Sequence, residues 1–151
     1  MQRCTRNERT IDAAPEDVWA LLADAERYDE FVVGAKRIRH ADGDWPAEGA
    51  SLHHTLGAGP FVVHDSTTVT DVDPGRCLRL LARMSVAGAS FVRFVLEPTG
   101  ERSTRLVIEE GPVRGPVLWS WNPVVAALQR KRNEELLERA AELIEAHSRS
   151  R

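Results

Sequence analysis

The sequence predicts an α+β domain: strands that pair antiparallel, two short helices between the first and second strands, and one long helix at the C-terminus. Three observations carry this. From Val32 to Gly111, short alternating apolar and polar runs are broken by Gly, Pro and Asp, which is the period-two signature of strands joined by tight turns. The stretch "IDAAPEDVWALL" places Pro15 at a first helical position, with Glu16 and Asp17 in the first turn, where the helix dipole favours carboxylates. Finally, Asn122 and Pro123 form an N-cap and N1 pair in front of a long amphipathic segment.

Gln2–Ile11 is the first strand. The helix at Pro15 is short, its apolar side supplied by Val18, Trp19, Leu21 and Leu22, and Asp24 caps a second short helix through Tyr28 and Phe31. Candidate strands then cover Val33–His40, Ser51–Gly57, Phe61–Val72, Cys77–Ser85, Ser90–Pro98 and Thr104–Gly111, which makes seven with the first. The breaks "DGDWPAEG", "GAGP", "DPG", "AG" and "TGERS" have turn chemistry, and such short connections join antiparallel neighbours. The final helix runs to about His147. Ala126, Gln129, Asn133, Leu136, Leu137, Ala140, Leu143 and Ile144 share its apolar face, and 146–151 reads as a polar tail.

A chain of 151 residues, 42% of them hydrophobic, forms one domain over 1–151 with a real core. Its formal charge is −3 with basic residues dispersed, so nucleic acid is not the expected partner. The N-terminus is polar and no apolar run approaches ~20 residues, so stable membrane insertion is not expected. Cys4 and Cys77 alone do not make a disulfide framework, which points to a reduced, cytoplasmic protein. A monomer or homodimer is compatible with all of this.

The order of elements resembles the START-like helix-grip (SRPBCC) superfamily, and the bacterial polyketide cyclase/dehydrase-type members in particular. The residues that carry the likeness are "IDAAPEDVWALLADAERYDEF" (Ile11–Phe31), "VTDVDPGRCLRLLAR" (Val69–Arg83), "FVLEPTGERSTRLVIEE" (Phe94–Glu110) and "RKRNEELLERAAELI" (Arg130–Ile144). The resemblance implies a helix-grip fold in which a curved seven-stranded antiparallel sheet wraps around the long C-terminal helix. It also implies a cavity between them for an apolar or amphipathic ligand. One departure is the first strand, "RCTRNERTI", which is more polar than such members usually carry.

Strand alternation assigns faces. Leu106 and Ile108 carry Glu110 inward, Phe94 and Leu96 carry Ser90, and Leu52 and Leu56 carry His54. In the fourth strand Val62 and Val72 select His64, Ser66, Thr68 and Thr70, although Val69 breaks that phase and implies a bulge. So many polar groups on an inward face, with Gln129 and Asn133 from the helix, fit a wet or ligand-filled space better than a dry core, where an unpaired polar group costs ~1–3 kcal/mol. The opposing account turns this Ser/Thr-rich face to solvent. Trp119 and Trp121 lie just before the helix cap, and Tyr28 and Phe31 could form the opposite rim. A tryptophan there closes a cavity mouth or, equally, staples the helix entry to the core.

The candidate ligand contacts are therefore Tyr28, Phe31, Ser66, Thr68, Ser90, Phe94, Trp119, Trp121, Gln129, Asn133 and Leu137. Candidate acid–base residues are Glu110, His54 and His64, because a buried carboxyl holds its proton longer and imidazoles exchange protons near neutrality. A competing account satisfies Glu110 by Arg114 or by backbone donors. His53 and His54 point to opposite faces and no carboxylate cluster joins them, so no metal is expected. Neither a phosphate loop, a nucleophile elbow nor a dinucleotide fingerprint is present, so no cofactor is expected. Three functions stay open. They are a carrier of a hydrophobic, lipid- or polyketide-like molecule, a polyketide aromatase/cyclase or dehydratase, and a co-chaperone-like interaction module.

Overall fold

The computed structural model describes residues 3–32, 37–58, 61–84 and 87–150; for 37–40, 55–58 and 61–64 it describes the backbone alone. In chain order the elements are β1 (Thr5–Ile11), α1 (Pro15–Leu22), a 3-10 turn (Ala25–Arg27), α2 (Tyr28–Phe31), β2 (Arg37–Ala41), β3 (Ser51–Ala58), β4 (Phe61–Asp73), β5 (Cys77–Arg83), β6 (Ala89–Gly100), β7 (Ser103–Arg114), α3 (Pro116–Trp119) and α4 (Pro123–Arg149). The strands form one antiparallel sheet in the order β1-β7-β6-β5-β4-β3-β2. Every connection from β2 onward joins neighbours, as short turns require. The first and last strands meet because the α1–α2 segment carries the chain across one face. The expected second strand began at Val33, and its first residues lie outside the described ones.

α4 and the 3-10 turn begin where their side-chain caps dictate. Asn122 Oδ1 accepts from the backbone N–H groups of Val124 (2.9 Å) and Val125 (3.0 Å), and Pro123 supplies the first helical φ. Asp24 does the same for the turn at Ala25, accepting from Glu26 N at 3.1 Å. At its C-terminal end α4 outruns the polar tail read from the sequence: it continues to Arg149, and Ser148 is buried beside the Arg102 guanidinium, 3.3 Å away.

One core joins every element but α3. Leu136, Leu137, Ala140, Ala141 and Ile144 from α4 meet Ile11 of β1 and Val18, Leu21 and Leu22 of α1. Leu78, Leu80, Phe94, Leu96, Leu106 and Ile108 close it from the central strands. Full burial of each such side chain contributes about 1.5–3 kcal/mol, so the packed half of the α4 face alone holds it against the sheet. Trp45 comes from the turn-like "DGDWPAEG" stretch, yet it is buried and its Nε1 donates to Leu22 O at 3.2 Å.

β7 extends to Arg114, past the Gly111 end expected from sequence. Pro112 is tolerated there because β1 pairs only as far as Thr5↔Glu110, so its missing N–H faces no partner on that side. The following turn depends on glycine: Gly115 has φ +83°, and a Cβ on it would sit 2.6 Å from Gly88 Cα. Both cysteines are free.

Candidate functional site

A cavity of about 300 Å³ opens between the sheet and the α2–α4 side. Its walls are apolar along one flank, where Val92, Phe94 and Ile108 of β6 and β7 face Val32 and Leu136. Polar groups line the rest of it: Tyr28, His54, Asp65 and Thr67 come together from α2, β3 and β4, while Glu110 of β7 and Arg132 of α4 add a carboxylate and a guanidinium.

Register explains the convergence. His54 and Asp65 are directly opposed across β3 and β4, Thr67 opposes Ala82 on β5, and Val92 opposes Glu110 across β6 and β7. Alternation then points all of these to one face. Tyr28 reaches them from α2. Its ring lies 5.5 Å from the His54 ring, 5.4 Å from Phe31 and 6.0 Å from Trp45, the last two edge-on. His54 Nε2 and Thr67 Oγ1 share a hydrogen bond of 3.0 Å, and the Tyr28 hydroxyl also meets the Thr67 side chain.

Burial sets the protonation of this cluster. It pushes the Tyr28 phenol well above its usual range; the Glu110 charge adds to the effect, while Arg132 and the Thr67 hydrogen bond oppose it. Tyr28 therefore stays a neutral donor at physiological pH. Burial, with His53 alongside, lowers His54, partly offset by Asp29, so its imidazole is neutral at pH 7. Burial raises Asp65. Each of His54 Nδ1 and Asp65 Oδ1 is buried with no hydrogen-bond partner. The site thus offers a phenol donor, a neutral imidazole and carboxyl oxygens in the same cavity as an apolar wall, an arrangement suited to a ligand hydroxyl or carbonyl.

Several expected residues lie elsewhere. Glu110, His54, Tyr28 and Phe94 line the cavity. Ser66 and Thr68 do not: they point to the opposite face, where Thr68 Oγ1 shares a 2.7 Å hydrogen bond with Ser51 Oγ and accepts from Arg83 at 2.9 Å. The cause is a register shift between Val69 and Asp71, which reverses the alternation counted from Val72 and puts Asp65, Thr67 and Val69 inward. Trp119 is corrected too. The chain after Gly115 coils into α3, which half-buries Val117 and Leu118, leaves Trp119 exposed and is tied to the N-terminus by Arg3 Nη1 donating to Leu118 O at 2.8 Å. Trp121 is half-buried and off the cavity wall.

Gln129 acts as a tie instead of a cavity contact: its Nε2 donates to Thr5 Oγ1 (2.7 Å) and to Glu110 O (2.8 Å). Phe31 and Leu137 are core, Ser90 is buried off the cavity lining, and Asn133 is fully buried off the wall with neither amide atom paired. The side chain of His64 lies outside the described residues. Glu110 makes no ion pair with Arg114 among the described residues. Missed by the sequence reading were Asp65, Thr67 and Arg132. Val69 was the available signal for the first two, and for Arg132 the signal was its place one turn before Leu136. Among the described residues no group of His, Cys, Asp and Glu could hold a metal ion, and no helix is long and apolar enough to cross a membrane.

Solved structures share this architecture. A START superfamily protein from Mycobacterium smegmatis is 18% identical with a TM-score of 0.74, covering 95% of this chain and 98% of its own. An aromatase/cyclase from a Streptomyces species is 16% identical with a TM-score of 0.71, over 95% and 93% of the two chains. Norcoclaurine synthase from Thalictrum flavum, solved with dopamine and hydroxybenzaldehyde, is 16% identical with a TM-score of 0.70, over 97% and 88%. At these identities the likeness is one of fold, the helix-grip α+β fold with its antiparallel sheet and long C-terminal helix. No curated protein matches the chain. Residues 2–145 match the family described as polyketide cyclase / dehydrase and lipid transport, and the chain belongs to that family.

Proposed function

We propose that the chain binds an amphipathic small molecule, lipid- or polyketide-like, with its apolar body along Val92, Phe94, Ile108 and Leu136 and a hydroxyl or carbonyl at the Tyr28–His54–Thr67 cluster. The observation that carries this reading is the cluster of Tyr28, His54, Asp65 and Thr67 set in the same cavity as the apolar wall of Val92, Phe94 and Ile108. Two buried polar atoms there, His54 Nδ1 and Asp65 Oδ1, have no protein partner, and a ligand group would satisfy them. Fluorescence displacement of anilinonaphthalene sulfonate by long-chain fatty acids and by polycyclic phenols tests it. Displacement weakened by Tyr28→Phe or Thr67→Val is expected; a dye that no member of either series displaces sinks the reading.

A second reading, a cyclase or dehydratase, is favoured by the clustering of displaced protonation equilibria at Tyr28, His54 and Asp65. In it, the neutral Tyr28 phenol donates to a substrate carbonyl while Glu110 or His54 removes a proton from the adjacent carbon. Parent-rate turnover of a polyketone mimic by Glu110→Gln, His54→Ala and His64→Ala variants would exclude it.

A further inference from the structure

The large exposed apolar side chains among the described residues all fall in one short stretch: Val113 (47%), Trp119 (79%), Val124 (69%) and Leu128 (64%). The same stretch is electrically distinct. From Gly111 to Asn133 the chain has four basic residues, Arg114, Arg130, Lys131 and Arg132, and no acidic one, although the whole chain is net −3. All four are exposed, and no ion pair engages them among the described residues.

The helix connects this stretch to the cavity. Val124, Leu128, Arg132 and Leu136 are successive i, i+4 neighbours on α4 and so form one ridge along it. The first two are exposed, and the last two line the cavity. An apolar end, a basic collar and the cavity opening thus follow one another along a single ridge.

We propose that α3 and the first turns of α4 dock this protein onto an anionic lipid surface. Trp119 would sit at headgroup level, Val124 and Leu128 would enter the acyl boundary, and Arg114 together with Lys131, which shares the Val124–Leu128 face, would meet the lipid phosphates and carboxylates. α4 then lies on the membrane without crossing it, in keeping with its charged remainder. The charge pattern selects this occupant over a second copy of the chain. A two-fold contact through the same surface brings its own cationic collar against itself, and like charges at that distance repel. The proposal does not depend on the cavity holding a guest, because its test reads only where the protein partitions.

The experiment is co-sedimentation of the full chain with phosphatidylcholine vesicles, with and without phosphatidylserine, at two salt concentrations. Binding to the anionic vesicles is expected, weakening as salt shortens the screening length. Trp119→Ser lowers the partition coefficient about tenfold, and Arg114→Glu with Lys131→Glu lowers it by more than tenfold. These side chains are exposed, so the variants keep the parent's melting curve, which is checked alongside. Equal binding to neutral and anionic vesicles, absence of binding, or indifference to Trp119→Ser overturns the proposal. So does a concentration-dependent dimer in analytical ultracentrifugation that Trp119→Ser dissolves without any vesicle binding, which would assign the surface to contact between copies.

Discussion

Asn133 allows a sharp test of how the helix meets the sheet. It sits on α4 with no exposed surface, one turn after Gln129 and one before Leu137, and neither Oδ1 nor Nδ2 has a partner. Each unpaired buried polar atom costs about 1–3 kcal/mol. Leucine has the same branch at the γ position and a helix propensity better by a few tenths of a kcal/mol. Its two methyl groups are bulkier than the amide atoms, and overpacking returns about 1–3 kcal/mol. Asn133→Leu is therefore expected to stabilise the fold by about 1–3 kcal/mol, a melting-point rise of roughly 2–4 °C for each kcal/mol at this chain length. Calorimetry and urea denaturation measure it, with Asn133→Ala as companion. A destabilised Leu variant beside a stabilised Ala variant indicates crowding only. Loss of stability in both would refute the reasoning, because the native amide would then have to be paired, and Asn133 would return to the list of ligand contacts.

Three further outcomes follow from buried groups and a close backbone approach. Because burial depresses His54 in the folded state, the unfolded chain takes up a proton near pH 6.5 that the folded chain refuses. Stability is thus complete above that value and declines as the pH falls through it, by at most about 1.4 kcal/mol per pH unit for this one proton. Asp65 works in the opposite sense: its raised folded value means stability is gained as acid protonates it. Urea midpoints across the range should show His54→Gln relieving the loss below pH 6.5 and Asp65→Asn raising stability at neutral pH; a His54→Gln curve parallel to the parent's would contradict this. Gly111→Ala places a Cβ 2.0 Å from Arg3 O, where only backbone can yield. The start of β1 is pushed off β7 at about 3 kcal/mol, and hydrogen exchange at Thr5 and Arg6 reads the loosening; unchanged protection there would argue against the contact.

What was legible in the sequence were the features that rest on local chemistry. Asn122 and Asp24 announced their caps because the side chain that does the capping is adjacent to the amides it accepts from. The inward phase of β6 and β7 followed from Phe94, Leu96, Leu106 and Ile108 because no irregularity separates them, and Glu110 came with them. β4 failed at the point where alternation itself is interrupted: anchors on both sides of a register shift cannot share one phase. Trp45 was hidden by its setting, since "DGDWPAEG" is turn chemistry and nothing local reveals that its indole reaches Leu22. Trp119 misled for the opposite reason, a large aromatic that stays exposed and never joins the core. Arg132 stands at the edge of the apolar stripe of α4, and only the position of Tyr28, set by α2, makes it a cavity residue.

The extra residue in β4 also bears on how this scaffold diversifies. Losing or gaining one position there swaps Asp65 and Thr67 for Ser66 and Thr68 on the cavity side, an acid exchanged for a hydroxyl, while β5 and everything beyond it keep their places. A lineage can in this way change the chemistry of its cavity wall through a single codon insertion or deletion, with Val69 leaving the core in the same step.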